Sequence, residues 1–477
     1  MMKTKISIKV QGWVKVLPFC LFVLLPLHAQ TRQWTLRQCI DHAISHNISI
    51  KQKENVCKQR GYQLSTAKNS RMPDLNAQAS ESFSFGRGLT LDNTYTNRST
   101  NSTSLSLGTT VPLFTGFQIP NQIKLSELNL EAATQDLEKA RNDIRMKVAQ
   151  AYVQILYDME MADVAHRQVA IDSQQVARLE AFVENGKASV AELSRQRSTL
   201  ATSRLTATQA NNSYQLSLLA LTQLLELPSP EDFAVVKVNV NDNGNGNGNG
   251  NDNGNGNGND NGNGNGNGNV FLRSSLPSPE IIYAEALTFK PEVQAEQFRV
   301  SAAERSINIA KAARYPTLNF SAGLQTNYYK TVGIMADNFT TQLKNNFAQY
   351  VGLSLNVPIF SRFKTRNNIR SACVDLENQH LQLENVKKTL YKEIQQVYYN
   401  AVAADSKFHS SKAAARSGYD AFLLTEAKYE NGKATITEFN EAKTNYLKAE
   451  SDHVKARYEY LYQTALMDFY RGRELDF

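Results

Sequence analysis

The sequence predicts a mixed but mainly α-helical fold, built from two copies of one structural unit with a few β-strands in each copy. Three observations lead to this prediction. Several motifs return in the same order in the second half of the chain, a pair of segments in each copy alternates apolar and polar residues, and a long stretch without Pro or Gly follows each pair. Repeats, hydrophobic periodicity and breaker residues are the strongest signals of fold in a single sequence.

Four motifs establish the duplication. They occur at residues 67–76 and 310–319, 111–117 and 357–363, 148–152 and 394–398, and 184–188 and 430–434. The offset is 246 residues for the last three pairs and 243 for the first, so the second copy has extra residues between Pro316 and Pro358. Collinear matches of this kind indicate one unit present twice. We assign residues 30–240 to the first repeat and 270–477 to the second.

The first 29 residues have the features of a secretory signal peptide. Four lysines and no acidic residue precede a short apolar run. Leu27-His28-Ala29 follows this run and has the small residue of a signal-peptide cleavage site, so we expect cleavage after Ala29. Cys20 lies inside the apolar run behind the bulky Phe19, which does not favour lipid attachment. Removing the four lysines lowers the formal net charge from +7 to +3. The mature chain therefore gives no indication of a nucleic-acid partner.

Alternating Asn and Gly residues connect the repeats at 241–269. Such a segment has no side chain that could build a core, and Gly loses much conformational entropy on ordering. We therefore expect a flexible linker rather than an aggregation element.

Each copy should begin with a helix, over residues 35–72 in the first copy, and continue with a β-hairpin at 74–112 or 317–358. Within the hairpins, apolar residues alternate with Ser, Thr, Asn and Gln, which is the period of a strand with one apolar and one polar face. A soluble sandwich shows the same alternation, but aromatic residues near the strand ends favour strands that cross a lipid bilayer. These aromatics are Tyr95, Tyr328, Tyr329 and Tyr350.

Four strands cannot form a closed transmembrane barrel, because about eight are needed. Open strand edges are not tolerated in lipid, where an unpaired backbone group costs several kcal/mol. If the four strands span a membrane, the protein must therefore associate with further copies of itself. Two copies would supply eight strands and three would supply twelve.

A helical hairpin should follow each pair of strands, at 117–227 with its tip near 185–187 and at 362–471 with its tip near 431–433. A continuous helix from 121 to 185 would be about 100 Å long, so it must pack lengthwise against other helices. In the second copy only Gly418 interrupts the long segment. Asn-Gly at each tip is a typical helix stop.

The order of these elements resembles the TolC-like outer-membrane efflux proteins, also called outer membrane factors. The resemblance rests on the duplicated order of helix, Pro, two strands, Val-Pro-(Leu/Ile)-Phe, long helix and Glu-Asn-Gly-Lys-Ala, and it fails only in the Asn-Gly tract. It implies a homotrimer with a twelve-stranded barrel in the outer membrane of a Gram-negative bacterium, continued by an α-helical barrel through the periplasm. It further implies a periplasmic adaptor (membrane fusion) protein and an inner-membrane pump of the RND or ABC type, in tripartite efflux or type I secretion.

The same resemblance implies a gate at the helical tips. Glu438 and Glu441 match the acidic ring of the periplasmic entrance, while Tyr429 matches the tyrosine that ties neighbouring coils, with Glu192 as its possible partner. Where the family's best-known member has an arginine, this chain has Ala434, which leaves that tie incomplete. Ordinary solvated helix residues would look the same in sequence. The adaptor would dock at the tips, on Asn185, Gly186, Lys187, Asn431, Gly432 and Lys433.

No pattern in the sequence predicts an enzyme, a cofactor or a metal site. There is no phosphate-binding loop, nucleophile elbow or Cys-x-x-Cys motif, and the three cysteines after residue 29 are not spaced as a disulfide framework. His42 and His46 are one helical turn apart but have no third ligand nearby. The remaining alternative is a periplasmic coiled-coil structural or adaptor protein whose strands form a soluble sandwich.

Overall fold

A computed structural model describes residues 32–89, 93–237 and 277–475. The expected signal peptide (1–29) and linker (241–269) lie outside these residues. The described chain is mainly helical and duplicated, as predicted.

The first copy contains two short strands, one pair of long strands and four helices. In chain order these are β1 Arg32–Trp34, α1 Leu36–His46, α2 Ile48–Asn69, β2 Asn76–Leu89, β3 Tyr95–Phe114, α3 Gln118–Glu184, α4 Val190–Leu224 and β4 Phe233–Val235.

In its described residues, the second copy repeats the order of helices and long strands, without counterparts of β1 and β4 and with one additional short helix between its strands. Its elements are α5 Pro279–Phe289, α6 Pro291–Ala312, β5 Thr317–Thr331, α7 Phe339–Asn345, β6 Ala348–Asn356, α8 Lys364–Glu430 and α9 Ile436–Tyr470. The long helices α3 and α8 both have 67 residues, and α4 and α9 both have 35. The constant offset of 246 residues therefore pairs each position of one helical hairpin with one position of the other.

The structure corrects the prediction of one helix over residues 35–72. Asn47 has an extended backbone, with ψ at 130°, and its side chain accepts a hydrogen bond from the backbone N–H of Ser49 to cap the start of α2. The Asn47 side chain also donates to the carbonyl of Leu224 across the fold. A buried asparagine bonded in this way ends one helix and begins the next.

The long strands form one antiparallel sheet in the order β2-β3-β5-β6. Pairing between β3 and β5 joins the two copies. Leu107 on β3 lies opposite Ala77 of β2 on one side and opposite Leu324 of β5 on the other. The alternating apolar residues therefore share one face of the sheet, as the period-two pattern predicted. At the two outer strands, β2 and β6, no other described strand pairs with the free edge.

Short parallel strands β1 and β4 lie against the middle of α3. Fully buried Tyr152 on α3 donates its hydroxyl to the carbonyl oxygens of Trp34 (3.2 Å) and Val236 (2.8 Å). These contacts fix the start and the end of the first copy onto its long helix. The sequence analysis did not predict either strand, because three residues are too few to show a period.

The helices pack side by side over most of their length, with α3 against α2, α4, α6 and α9, and α8 against α6 and α9. A 67-residue helix is about 100 Å long. Gly418 does not interrupt α8, which is continuous over Lys364–Glu430. A Cβ at this position would lie 3.4 Å from the Cα of Tyr446 on α9, which is van der Waals contact distance. None of the described helices combines the length and the apolar character needed to cross a membrane.

Candidate gate at the helical tips

Both helical hairpins end in the same turn. Gly186 and Gly432 adopt left-handed φ values of 67° and 70°, which explains why glycine occupies both positions. The following backbone N–H groups, of Lys187 and Lys433, donate to carbonyls of the preceding helix at 2.7 and 2.8 Å. The six residues expected to dock an adaptor all lie in these two exposed turns.

Glu192 and Glu438 occupy equivalent positions just after the tips, where each closes a capping box. The Glu438 carboxylate accepts from the backbone N–H of Thr435 at 2.7 Å, and the Thr435 hydroxyl oxygen accepts from the N–H of Glu438 at 3.2 Å. Glu192 makes the same pair of bonds with Ser189, both at 3.2 Å. Both carboxylates therefore have a structural role, which is to start α4 and α9.

Hydrogen bonding lowers the pKa of Glu438 from its ordinary value, first through the backbone N–H of Thr435 and then through its hydroxyl. Glu438 thus remains charged at neutral pH. Glu441 is exposed one turn further along α9, so the two predicted ring residues share a helix face.

Tyr429 lies half-buried at the end of α8. Its ring stacks on Phe439 with the centroids 5.1 Å apart, and the guanidinium of Arg178 lies 5.3 Å above the ring centroid. Burial raises the pKa of Tyr429; the nearby Arg178 charge opposes this rise and Glu192 adds to it. Within one chain, the structure connects Tyr429 to Arg178 directly and to Glu192 only through this electrostatic effect.

Arg178 is a tip residue that the sequence analysis missed. Its guanidinium lies 3.4 Å from the carboxylate of Glu430 and donates to the Glu430 carbonyl at 3.4 Å. A cation on α3 therefore ties the two hairpins together at the tip, although Ala434 replaces the expected arginine. The available signal was that Arg178 is the only basic residue between positions 168 and 186.

A buried polar cluster lies further from the tip, where α3, α4 and α9 meet. Asp172 is 0% exposed and Lys443 is 1% exposed, and their side chains form an ion pair. Gln196 and Ser203 on α4 also donate to the Asp172 carboxylate, and Asn440 on α9 donates to Gln196 at 3.2 Å. All of the charged oxygens thus have partners, as a buried carboxylate requires.

Two more ion pairs join α3 to α9. Arg167 pairs with Glu450 at 2.6 Å, and Arg457 pairs with Glu160 in a contact that also includes the hydroxyl of Tyr458. We call the line of contact between these helices the α3–α9 seam. Its three ion pairs are Glu160–Arg457, Arg167–Glu450 and Asp172–Lys443.

Within the described ranges, no group of three or more His, Cys, Asp or Glu side chains is arranged to hold a metal ion. His42 and His46 stack on each other with ring centroids 4.0 Å apart. Cys39, Cys57 and Cys373 are free thiols.

The sequence model that defines the outer membrane efflux protein family matches this chain twice, at residues 39–226 and 282–470. The two matches correspond to the two copies of the repeat. They cover the tip residues and both long helical hairpins.

Two curated relatives match part of the chain. Protein CyaE of Bordetella pertussis is 23% identical over 164 residues, and outer membrane protein TolC of Escherichia coli is 26% identical over 164 residues. These alignments cover 34% and 33% of this chain and about one third of the length of each relative.

Solved structures match more of the chain. The CmeC outer membrane channel of Campylobacter jejuni superposes with a TM-score of 0.72 over 93% of this chain and 87% of its own, at 16% identity. At that identity the likeness establishes a shared fold.

Proposed function

Because the chain belongs to the outer membrane efflux protein family, we propose that it is the outer-membrane channel of a tripartite efflux or type I secretion system. In this role it is a passive exit duct that is closed at its periplasmic end by the helical tips. Family membership confirms the location predicted from the sequence, the cell outer membrane with an extension into the periplasm. The family is one of transport proteins rather than enzymes.

The observation that carries this proposal is the four-stranded sheet. Its apolar face is open to the surroundings, with Phe83 at 62%, Phe85 at 79% and Leu353 at 67% exposure. An apolar face of this kind suits outer-membrane lipid, but the free edges of β2 and β6 do not, since every backbone group in lipid needs a partner. Further copies of the chain must pair with these edges. Three copies would complete a barrel of twelve strands, the homotrimer that the resemblance implies.

The helices support association through the same duplication. Near the tips the order of contact is α4, α3, α9, α8, so α4 and α8 are the outer helices of the chain. Val402 on α8 is 43% exposed, whereas its equivalent on α3, Leu156, is fully buried. In the same way, Tyr399 is 65% exposed and its equivalent Val153 is 7% exposed. A second copy that placed its α4 against α8 would cover these side chains.

We assign the gate to Glu192, Tyr429, Glu438 and Glu441, with Arg178 as an additional tie. In a trimer, Glu438 and Glu441 would place six carboxylates around the mouth, which attracts cations and repels anions. The exposed turns at 185–187 and 431–433 would dock the periplasmic adaptor, because both present the same shape and the same Asn-Gly-Lys sequence. An inner-membrane pump of the RND or ABC type would supply the energy and select the substrate.

Fractionation and conductance test this proposal together. An integral channel should need detergent for extraction, should run as a heat-sensitive oligomer on gels and should conduct ions in planar bilayers. The alternative, a periplasmic structural or adaptor protein, would be released by salt or mild base and would not conduct. That second outcome would refute the channel.

A further inference from the structure

A cavity of about 340 Å³ lies far from the helical tips. Its walls come from α1, α3, the junction between α5 and α6, and the residues that follow α9. Asn142 on its α3 wall is roughly 60 Å along the helix from the tip. The apolar part of the lining consists of Ile40, Ile44, Phe289, Phe469 and Leu475. A cavity of this size can hold a small molecule.

Lys290 is a buried cation in the wall of this cavity, which we call the Lys290 cavity. The residue is 4% exposed, and its ammonium group lies 4.3 and 4.6 Å from the ring centroids of Tyr470 and Phe469. Its side chain makes no hydrogen bond and no ion pair with any described residue. Burial lowers the pKa of Lys290, and the carboxylates of Glu292 and Glu393 oppose this shift. A buried ammonium has three donors, and the two ring faces compensate only in part for the lost water.

Three arginines bring further positive charge to the same cavity, and these are Arg37, Arg145 and Arg473. The guanidinium of Arg37 lies 4.0 Å from the carboxylate of Glu474, and that of Arg473 lies 3.0 Å from Asp468. Arg145 is half-buried and donates to the side-chain oxygen of Asn142 at 2.6 Å, but no described carboxylate forms an ion pair with it. The other carboxylate of the lining, Asp41, belongs to an exposed residue. Lys290 and Arg145 are therefore two cations of one cavity that lack a carboxylate partner.

Lys290 also lines a second cavity, of about 270 Å³, whose charge is different. Asp143, Glu292 and Glu393 line this second cavity, together with one further cation, Lys139. Three carboxylates against two cations would repel an anion. The excess of positive charge thus distinguishes the Lys290 cavity from its neighbour.

The duplication shows that the repeated unit can fold without these cations. Helices α1 and α2 correspond to α5 and α6 at an offset of 243 residues, and α3 and α4 correspond to α8 and α9 at an offset of 246. At the positions equivalent to Arg37, Arg145, Lys290 and Arg473, the other copy has Glu280, Tyr391, Asn47 and Leu227. None of the four equivalents is basic. Asn47 caps the start of α2 instead, so the helix junction itself does not require a buried lysine.

We propose that the Lys290 cavity binds a small carboxylate that has a compact apolar body. The carboxylate would face Lys290 and Arg145, which supply an ammonium and a forked guanidinium as donors. Its apolar body would contact Phe289 and Phe469. This site goes beyond the proposed function, and it requires neither a pore nor a trimer.

Calorimetric titration of the full chain in an uncharged detergent tests the proposal, with benzoate as the probe. Benzyl alcohol has the same ring without the charge, and inorganic phosphate has charge without an apolar body. We expect saturable binding of benzoate and binding weaker by about tenfold or more for both of the other compounds, because each lacks one half of the recognised chemistry.

Two substitutions locate the binding in the Lys290 cavity. Lys290→Asn introduces the residue of the equivalent junction, so the helices should still form, and Arg145→Gln keeps a side-chain amide beside Asn142. Each should weaken benzoate binding by about tenfold or more, since a hydrogen bond between charged groups is lost. Lys311→Asn, at an exposed position of α6, is the matched control and should bind like the wild type. Circular dichroism of each variant checks that the helices are intact.

Several results would overturn the proposal. One is a wild-type protein that shows no saturable binding of benzoate. Another is equal binding of benzyl alcohol, which would mean that the ring alone enters the protein or the detergent. Phosphate that binds as tightly as benzoate would exclude a role for the apolar lining. Wild-type affinity in folded Lys290→Asn or folded Arg145→Gln would place the binding elsewhere.

Discussion

Lys443→Met removes one charge from the buried cluster and should loosen the tip of each copy. The substitution leaves Asp172 fully buried without its cation, while the donors Gln196 and Ser203 remain. Breaking one side of a buried ion pair costs about 3–5 kcal/mol. Because two hydrogen bonds to the carboxylate survive, we expect the lower end, about 3 kcal/mol, for local separation of α9 from α3.

Hydrogen exchange followed by mass spectrometry measures this local opening. A loss of about 3 kcal/mol corresponds to roughly 100-fold faster exchange in peptides that cover the first turns of α9. Lys448→Met, at an exposed position of the same helix, is the matched control and should exchange like the wild type. Adding Asp172→Leu to Lys443→Met should recover much of the protection, since no buried charge then lacks a partner. Exchange in Lys443→Met within about threefold of the wild type would refute the reasoning.

Three further predictions concern the tip. Replacing Glu438 and Glu441 by Gln should weaken the cation preference of single channels. In the wild type, the pKa of Glu438 lies below its ordinary value. Glu438 should therefore stay charged, and should still contribute to the cation preference, as the pH falls through the range in which a glutamate usually becomes protonated. Unchanged reversal potentials in the double variant would remove both residues from the mouth. Arg178→Ala breaks the contact with Glu430 and should raise the open fraction, and an open fraction equal to that of the wild type would exclude a tie there. Gly432→Val forces a β-branched residue to φ 70° and should slow efflux while the protein still reaches the outer membrane; wild-type efflux would rule out a need for the tight turn.

Most of the fold could be predicted because its signals are local and occur twice. The alternation of apolar residues, the stretches without breakers and the two Asn-Gly turns each depend on a few neighbouring residues. The break at Asn47 was missed because the hydrogen bond from its side chain to the carbonyl of Leu224 depends on a contact between distant parts of the chain. The short helix α7 lies between the strands of the second hairpin, where the repeat gave no equivalent.

Only those site residues that match a motif of the outer-membrane efflux proteins could be predicted from the sequence. Glu192 and Glu438 could be placed six residues beyond the tip glycines Gly186 and Gly432. Their capping bonds to Ser189 and Thr435 became clear only from the structure. The contact of Arg178 with Glu430 and the pairing of Asp172 with Lys443 could not be predicted. Both contacts join the two copies of the repeat, and the register between α3 and the second hairpin is set by packing that one sequence does not reveal.

The number of chains in the detergent-extracted particle tests the central claim most directly, and native mass spectrometry can count them. The four strands form a sheet with an apolar face and two free edges. In lipid, the backbone N–H and C=O groups at these edges need hydrogen-bond partners, which strands from other copies would supply. We expect three chains per particle, which corresponds to twelve strands. A stable particle that contains a single chain would contradict the account.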